Sequence, residues 1–542
     1  LYGLRQAPRE WNEEFNDTLV SKCGFRRLTA DQCIYTLHTK TGNQILLGVF
    51  VDDILFASDP RDYKEAEAIK NKLKQTYKIS DLGDAKFLLG MHIQRDRSKR
   101  TLTLDQEAYI NKLLEQTGMT DCTPVSTPEE PGSHLTKGDD EPAPTKKQLA
   151  EALGVDEHEP QLLEKFRTAY GSMVGAILYS AVTIRVDIQH AASQVSRFVS
   201  DPSLAHWHAC KRILRYLKGT PKMGLTFHGS ADPQKPFTLG PVFADANWGG
   251  DLDDRKSTTG VLVKINGCAV AWKSQKQKSV ATSSCEAEYY SLGDATKEIL
   301  WLRQLVLEMG FPQDSTLVLG DNEAANTTAK NDSHHTRMKH IDIKHHFIRE
   351  HVAAKHITIQ WTPTAQQQAD ILTKAVGKNI FDELRAKAMG HTGNNDEAKL
   401  IAKALCTLAP RSESSAMISS MLRPHTTILE HSHPRNVEVK SWSPGHLSTT
   451  SNHDASRPGA LCGGVPMGRV PDIQLPFPSV NRTRTMVHRL HTNKNTAADS
   501  SPKQEHKHSR KLNTNSQNHQ DKSCQQRVFM QHANPYACLA MA

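Results

Sequence analysis

Two β-prone runs, Ile45-Leu46-Leu47-Gly48-Val49-Phe50-Val51 and Ile54-Leu55-Phe56-Ala57, are separated only by Asp52-Asp53. Short apolar runs divided by two residues predict a tight β-hairpin. Residues 1–120 as a whole alternate such strands with charged helical stretches. From Asp121 to about residue 161 the pattern gives way to TPVSTPEEPGSHLTKGDDEPAPTKK, which reads as a linker. A helical pattern resumes at Leu162 and runs to Gly219, so connecting helices are expected over residues 162–230. Residues 237–376 then form a dense alternation of strands and helices. VFADANWGG, TTGVLVKING, AVAWKSQKQ, Thr316–Leu319 and HITIQW read as strands. In TSSCEAEYYSLGDATKEILWLRQLVLEMG, residues Ala295, Ile299, Leu302, Val306 and Met309 recur at intervals of 4, 3, 4 and 3, one face of a helix. Pro363 breaks the chain after the last strand, and Asp370 opens a short helix with Ala369, Leu372 and Val376 on one side. The pattern predicts a multidomain chain of α/β and α+β class.

Composition changes this picture at the C-terminal end. The 542 residues are 37% hydrophobic and 23% charged, with a net charge of +8. Residues 391–542 hold 18 Lys and Arg against 10 Asp and Glu, leaving 49 of each sign for residues 1–390. The basic surplus therefore belongs to the tail. That tail is rich in Ser, Thr, Asn, His and Pro without apolar periodicity, and a disordered segment is expected there. An RNA-binding basic tail is the alternative. The ten cysteines include no C-x-x-C pair, so neither a zinc ribbon nor a disulfide framework is expected, and a reducing compartment is. The best apolar run, Met173 to Val182, falls short of the ~18 residues of a membrane span, and no membrane partner is expected. No signal peptide precedes the first motif, and the chain reads as a piece of something longer.

The candidate chemistry lies in carboxylates. Asp52 and Asp53 repel each other beside a buried strand pair, and a divalent cation would neutralise them with hard oxygen ligands. A solvated acidic turn is the competing reading. Further along, Asp245 ends an apolar strand, Glu286 lies at a helix start, Asp321 follows another strand and Asp370 opens a helix. Their separations of 41, 35 and 49 residues are each one or two elements long, so the four acids can meet at one sheet edge. Carboxylates that converge need Mg²⁺ among them, and two such ions can activate water and stabilise the leaving oxygen of a phosphodiester. Structural roles compete here too. Ser283-x-x-Glu286 is also a capping box; Asp321-Asn322 can be a turn, Asp370 a dipole-favoured first-turn acid, and Asp245 a loop residue.

The wording around these acids narrows the choice. LYGLRQAPREWNEEF, FVDDILFAS and DLGDAKFLLGMHI resemble the reverse transcriptase of copia-type LTR retrotransposons. STTGVLVKINGCAVAWKSQKQKSVATSSCEAEYYSL, GDNEAA, KHIDIKHHFIREHV and QQADILTK are similar to the ribonuclease H domain of the same polyproteins, and residues 170–225 to the segment joining the two. The resemblance implies a partial palm and thumb over residues 1–120, a linker at 121–161, connection helices at 162–230 and a ribonuclease H-like mixed sheet flanked by helices at 237–376. It makes Asp52 and Asp53 ligands of catalytic magnesium and places Gln6 and Arg9 near the incoming nucleotide. It assigns metal binding and catalysis in the nuclease to Asp245, Glu286, Asp321 and Asp370, with Mg²⁺ as cofactor and Mn²⁺ as the alternative.

The function so implied is cleavage of the RNA strand of an RNA·DNA hybrid, leaving a 3′-hydroxyl and a 5′-phosphate, in a chain whose polymerase is incomplete. The family's further aspartate lies upstream of the first motif, so this chain alone is not expected to polymerise DNA. Hybrid, template RNA, primer DNA and other Pol or Gag products are the implied partners. A cytoplasmic virus-like particle is the implied location, with the nucleus as the alternative. Cys285, Gly320, Asn247, Val186 and Phe50 depart from common family residues, and a catalytically dead remnant is the rival reading. An integrase is disfavoured, because no zinc-binding His/Cys module is found. His334, His335, His340, His345, His346, His351 and His356 crowd one region without neighbouring cysteines, which argues for helix-surface or packing roles rather than zinc. Lys273, Lys276 and Lys278 flank Trp272 and are read either as phosphate contacts or as a solvated hairpin.

Overall fold

The computed structural model describes residues 4, 6–138, 143–230, 237–330 and 342–392. The tail expected to be disordered, from residue 393 onward, lies outside the described residues, as do His334, His335, His340 and the side chain of His345.

The first sheet is antiparallel, in the order β1 (Arg26–Arg27), β2 (Ile34–His38), β3 (Gln44–Phe50), β4 (Asp53–Ser58). Helices α1 (Ala7–Asp17), with proline in its first turn, and α2 (Tyr63–Thr76) cover one face. Phe15, Leu19, Tyr35, Ile45, Leu47, Ile69, Leu73 and Tyr77 form the core between them. Alternation along β2 and β3 sends Ile34 and Leu46 to the other face, where they join the main core of the molecule.

A second antiparallel sheet contains β5 (Phe87–Leu88), β6 (Met91–Asp96) and β7 (Thr101–Asp105), closed by β8 (Leu225–His228). Leu104 pairs with Leu225 across more than a hundred residues of chain. Gly224 permits this closure, because a Cβ there would stand 2.0 Å from the Leu104 carbonyl oxygen. The boundaries at 120 and 162 therefore do not separate the sheet from the helices that follow it.

Between these strands run α3 (Glu107–Gln116), α4 (Lys146–Leu153), α5 (Leu162–Thr183), α6 (Gln189–Ser196) and α7 (Leu204–Gly219). The stretch read as a linker is thus partly helical: α4 starts at a complete capping box of Thr145 and Gln148 and buries Leu149 and Ala150. Arg185, fully buried, forks onto Asp187, which also accepts from the Tyr216 hydroxyl at 2.6 Å, and so fixes α7 to the end of α5. Among the described residues, no helix is long and apolar enough to cross a membrane.

The third sheet positions the candidate chemistry. Strands β9 (Leu239–Asn247), β10 (Thr258–Ile265) and β11 (Cys268–Lys276) form an antiparallel meander; β12 (Thr316–Gly320) and β13 (Ile357–Trp361) extend it in parallel, giving the order β11-β10-β9-β12-β13. Helix α8 (Ser284–Glu308) packs across β9 and β10, while α9 (Glu323–Lys330) and α10 (Asp342–Ala353) pack beside it. The unit continues past the expected end at residue 376. Helix α11 (Lys378–Ala388) buries Phe381, Leu384 and Ala388, and the buried Lys264 ammonium donates to the Lys387 carbonyl at 2.7 Å.

Candidate active site

Parallel strands that are neighbours in a sheet end at the same edge, and this places the first two acids together. Val318 and Leu319 of β12 pair with Val242 and Phe243 of β9; the same register carried two residues further sets Asp321 opposite Asp245. Helix α8 lies over these strands and adds Glu288. Oxygens of Asp245, Glu288 and Asp321 all lie within 4.8 Å of one another. Asp370, on the 3-10 turn Gln368–Leu372, stands beside Asp245 and is held by the Lys374 ammonium at 3.0 Å.

The expected Glu286 does not join this group. Its carboxylate turns back to accept from the Thr282 amide at 2.7 Å, the Thr282 hydroxyl at 2.6 Å and the Tyr290 hydroxyl at 2.8 Å. Its own amide donates to Ser283 Oγ at 3.2 Å, the N-cap bond. The physical reason is helical geometry: two residues are about 200° of rotation, so neighbours in E-A-E face opposite ways. Glu288 occupies the position assigned to Glu286. A signal for it existed in the sequence, because the stripe Met309, Val306, Leu302, Ile299, Ala295 extends backward at the same intervals through Leu292 to Glu288. An acid on the face that packs against a sheet points at that sheet.

The electrostatics are those of like charges crowded out of water. Burial pushes the Asp370 carboxyl up to about 7, with the Asp245 charge adding to it and Lys374 opposing. Burial likewise pushes Glu288 up to about 9, with Asp245 and Asp321 next in effect. Asp245 is also raised, by burial first, against the pull of Lys374 and a hydrogen bond from the Thr373 hydroxyl. Asp321 accepts from Thr364 Oγ1 at 2.8 Å, and its carbonyl accepts from Trp361 Nε1 at 3.0 Å. The chemistry of this donor set fits hard divalent cations: all donors are carboxylate oxygens, and burial raises Asp245, Glu288 and Asp370 above the usual carboxylate range. Thr373 and Lys374, which hold Asp245 and Asp370, were not singled out in the sequence.

The hairpin acids behave differently. Phe50 pairs with Asp53, so the two-residue turn is Val51-Asp52, one position earlier than expected. Val51 adopts φ of 53°, an unusual conformation for a β-branched residue, and its carbonyl accepts from Trp11 Nε1 at 3.0 Å. Asp53 becomes the first strand residue, raised in pKa by burial and then by Asp52. Among the described residues, no third acid, histidine or cysteine clusters with this pair. Gln6 caps α1 without a side-chain bond, and the exposed Arg9 guanidinium pairs with Glu13 at 2.7 Å. In the histidine region, His351 Nδ1 lies 3.0 Å from His356 Nδ1, and His346 is exposed. Lys273 pairs with Asp294, and Lys276 with Asp251 and Asp254, so both are taken up within the fold.

Comparison with known proteins agrees with the first motif. Residues 1–131 match the family described as Reverse transcriptase (RNA-dependent DNA polymerase). The chain is similar to the retrovirus-related Pol polyprotein from transposon TNT 1-94 of Nicotiana tabacum, 38% identical over 382 residues, 70% of this chain and 27% of that one. The polyprotein from transposon RE1 of Arabidopsis thaliana is 34% identical over 389 residues, 71% of this chain and 24% of the relative. The chain thus spans about a quarter of the length of these two polyproteins. A transposon Ty5-1 protein of Saccharomyces cerevisiae is 33% identical over 301 residues, 55% of this chain and 87% of the relative. With that coverage and the matched domain, the chain belongs to the Pol polyproteins of copia-type retrotransposons and carries their reverse transcriptase domain at its N-terminal end.

Proposed function

We propose that residues 237–392 are a metal-dependent ribonuclease that hydrolyses the RNA strand of an RNA·DNA hybrid. The observation that carries this reading is the convergence of Asp245, Glu288 and Asp321 within 4.8 Å, with Asp370 alongside. A buried cluster of like charges is costly unless something compensates it. Among the described residues, the ammonium that pairs with Asp370 is that of Lys374. Asp245, Glu288, Asp321 and Asp370 would hold Mg²⁺, with Mn²⁺ as substitute. When bound, a pair of such ions supplies an activated water and stabilisation of the departing oxygen.

The chain's own residues supply the rest. Thr373 and Lys374 fix the carboxylates of Asp245 and Asp370, and the Thr364 hydroxyl orients Asp321. Attack by water on the phosphorus, with departure of the 3′-oxygen, leaves a 3′-hydroxyl and a 5′-phosphate. Selection of the hybrid rests on duplex shape and 2′-hydroxyl contacts rather than base edges. The order of the sheet and the family's motif wording support the same reading. In the N-terminal domain, Asp52 and Asp53 are the proposed metal carriers of the polymerase, with Gln6 and Arg9 on the nucleotide side.

The test is cleavage of a labelled hybrid by the chain with Mg²⁺. Asp245→Asn removes a carboxylate charge while keeping the shape; it is expected to abolish cutting with the melting transition retained. A wild-type chain that leaves the hybrid intact would sink the proposal in favour of a catalytically dead remnant.

A further inference from the structure

A cavity of about 610 Å³ adjoins the acid cluster. Asn247 and Lys374 line it from the acid site, and His190, Arg197, Arg212 and Arg215 line it from α6, α7 and the residue following α6. Asp251, which pairs with Arg197, lines it as well, and a further wall is residues 128–135 of a strap, residues 123–137, that comes from the end of the polymerase region and has no helix or strand of its own.

The strap is pinned at several points. Arg215 Nε donates to the Thr123 carbonyl at 2.7 Å, His206 contacts the Thr136 carbonyl at 2.8 Å, and the Lys137 amide donates to Asp253 at 3.1 Å. Midway, the Gly132 amide reaches the carbonyl of Ala375, the residue after Lys374. Between these pins sit two adjacent carboxylates. Glu129 lies 2.7 Å from His190 Nδ1, and Glu130 pairs with Arg212 at 2.7 Å. The basic wall therefore faces acids of its own chain, at a spacing of one residue.

Magnitudes decide what such a contact can do. The Glu130 side chain is 68% exposed, and solvent screening leaves a pair of that kind weak. A nucleic-acid backbone brings a continuous row of phosphates and gains from release of its own counterions. Exchanging a strap carboxylate for a phosphate on the same guanidinium is then favourable overall, and arginine suits either partner.

We propose that the strap is an electrostatic gate: Glu129 and Glu130 occupy seats on His190 and Arg212, beside Arg215, that backbone phosphates of the nucleic-acid substrate take when it enters the nuclease. The identity of that substrate as an RNA·DNA hybrid rests on the proposed function; the gate itself rests on the cavity and the ion pairs. The test is binding of a fluorescein-labelled hybrid to the full chain in EDTA, read by anisotropy, so that cleavage plays no part. Glu129→Gln with Glu130→Gln is expected to tighten binding about tenfold at low salt, a gain that shrinks as salt screens the charges. Arg212→Gln with Arg215→Gln is expected to weaken it about tenfold and to flatten the dependence of log K on log salt by about two. Should the double glutamate variant lose its melting transition, Glu130→Gln alone, at the exposed position, is expected to tighten binding about threefold. Unchanged or weaker binding by a folded glutamate variant overturns the gate, whatever the cleavage assay says of the nuclease.

Discussion

The two carboxylate sites of this chain are built in opposite ways. Asp52 and Asp53 are neighbours in the sequence, at the tip of one hairpin. Asp245, Glu288, Asp321 and Asp370 come from a strand, a helix, a strand end and a 3-10 turn, brought together by the packing of α8 and of the 368–375 segment on β9 and β10. The first pair is assembled by a local turn, with one distant contact, from Trp11, on the turn's backbone. The second group exists only if the whole third sheet folds, and burial then raises the proton affinity of Asp245, Glu288 and Asp370. Conspicuous sequence thus marks the looser site, and distributed sequence the tighter one.

The sharpest way to break this contrast is to exchange the roles of the two glutamates on α8. Glu288→Gln should reduce hybrid cleavage by at least about a hundredfold, beyond the ~10–100-fold typical of residues that only support a metal ligand. Glu286→Gln should leave cleavage largely intact and lower stability by about 1 kcal/mol, because it weakens the start of a helix. Cleavage rates and denaturant melts on the two variants separate the readings. The reverse result would restore Glu286 as the ligand.

Much of this is legible in the sequence. Asp245, Asp321 and Asp370 each follow or open an apolar segment, so the hydrophobic pattern alone places them at element ends. Glu286 misled because a capping glutamate and a glutamate facing the other acids sit two residues apart in one acidic motif, and only the helical stripe distinguishes them. The pairing of β8 with β7 had no local signal, since a four-residue strand finds its partner through tertiary packing. The strap read as a linker for a similar reason: its Pro and acidic residues mark irregular backbone, but not the arginines on which that backbone lies.

A backbone approach tests how tightly the distributed site is packed. Gly260 of β10 lies under the segment bearing Asp370, and a Cβ there would stand 2.5 Å from Thr373 Cγ2 and 2.9 Å from the Ala369 carbonyl oxygen. Gly260→Ala should cost roughly 1–3 kcal/mol by overpacking. It should also lower the cleavage rate by displacing Thr373 from Asp245. A melt within error of the parent would mean that the segment yields freely, contrary to the rigid edge described.

Protonation offers a milder perturbation. The folded-state pKa is about 7 for Asp370 and about 9 for Glu288, above the ordinary carboxylate range. Between that range and those values the native chain binds more protons than the unfolded one, so stability falls as pH rises. The metal-free chain should melt higher at about pH 5 than at about pH 8, and Mg²⁺ should flatten the difference. Glu288→Gln should remove much of the slope. Asp53→Asn should remove little, because that carboxyl, though also raised, stands in the half-exposed hairpin.

The smallest effect is expected at the hairpin turn. Val51 holds φ of 53° with a branched side chain 63% exposed, and so gains little packing in return for its backbone conformation. The left-handed region costs an ordinary residue roughly 1–2 kcal/mol, which glycine avoids. Glycine gives back roughly 0.5–1 kcal/mol through the greater freedom of its unfolded chain. Val51→Gly should therefore stabilise by less than about 1 kcal/mol in a denaturant melt, with hybrid cleavage unchanged. A large loss would mean that the valine side chain anchors the turn and that the hairpin depends on distant packing after all, which would erase the distinction between the two sites.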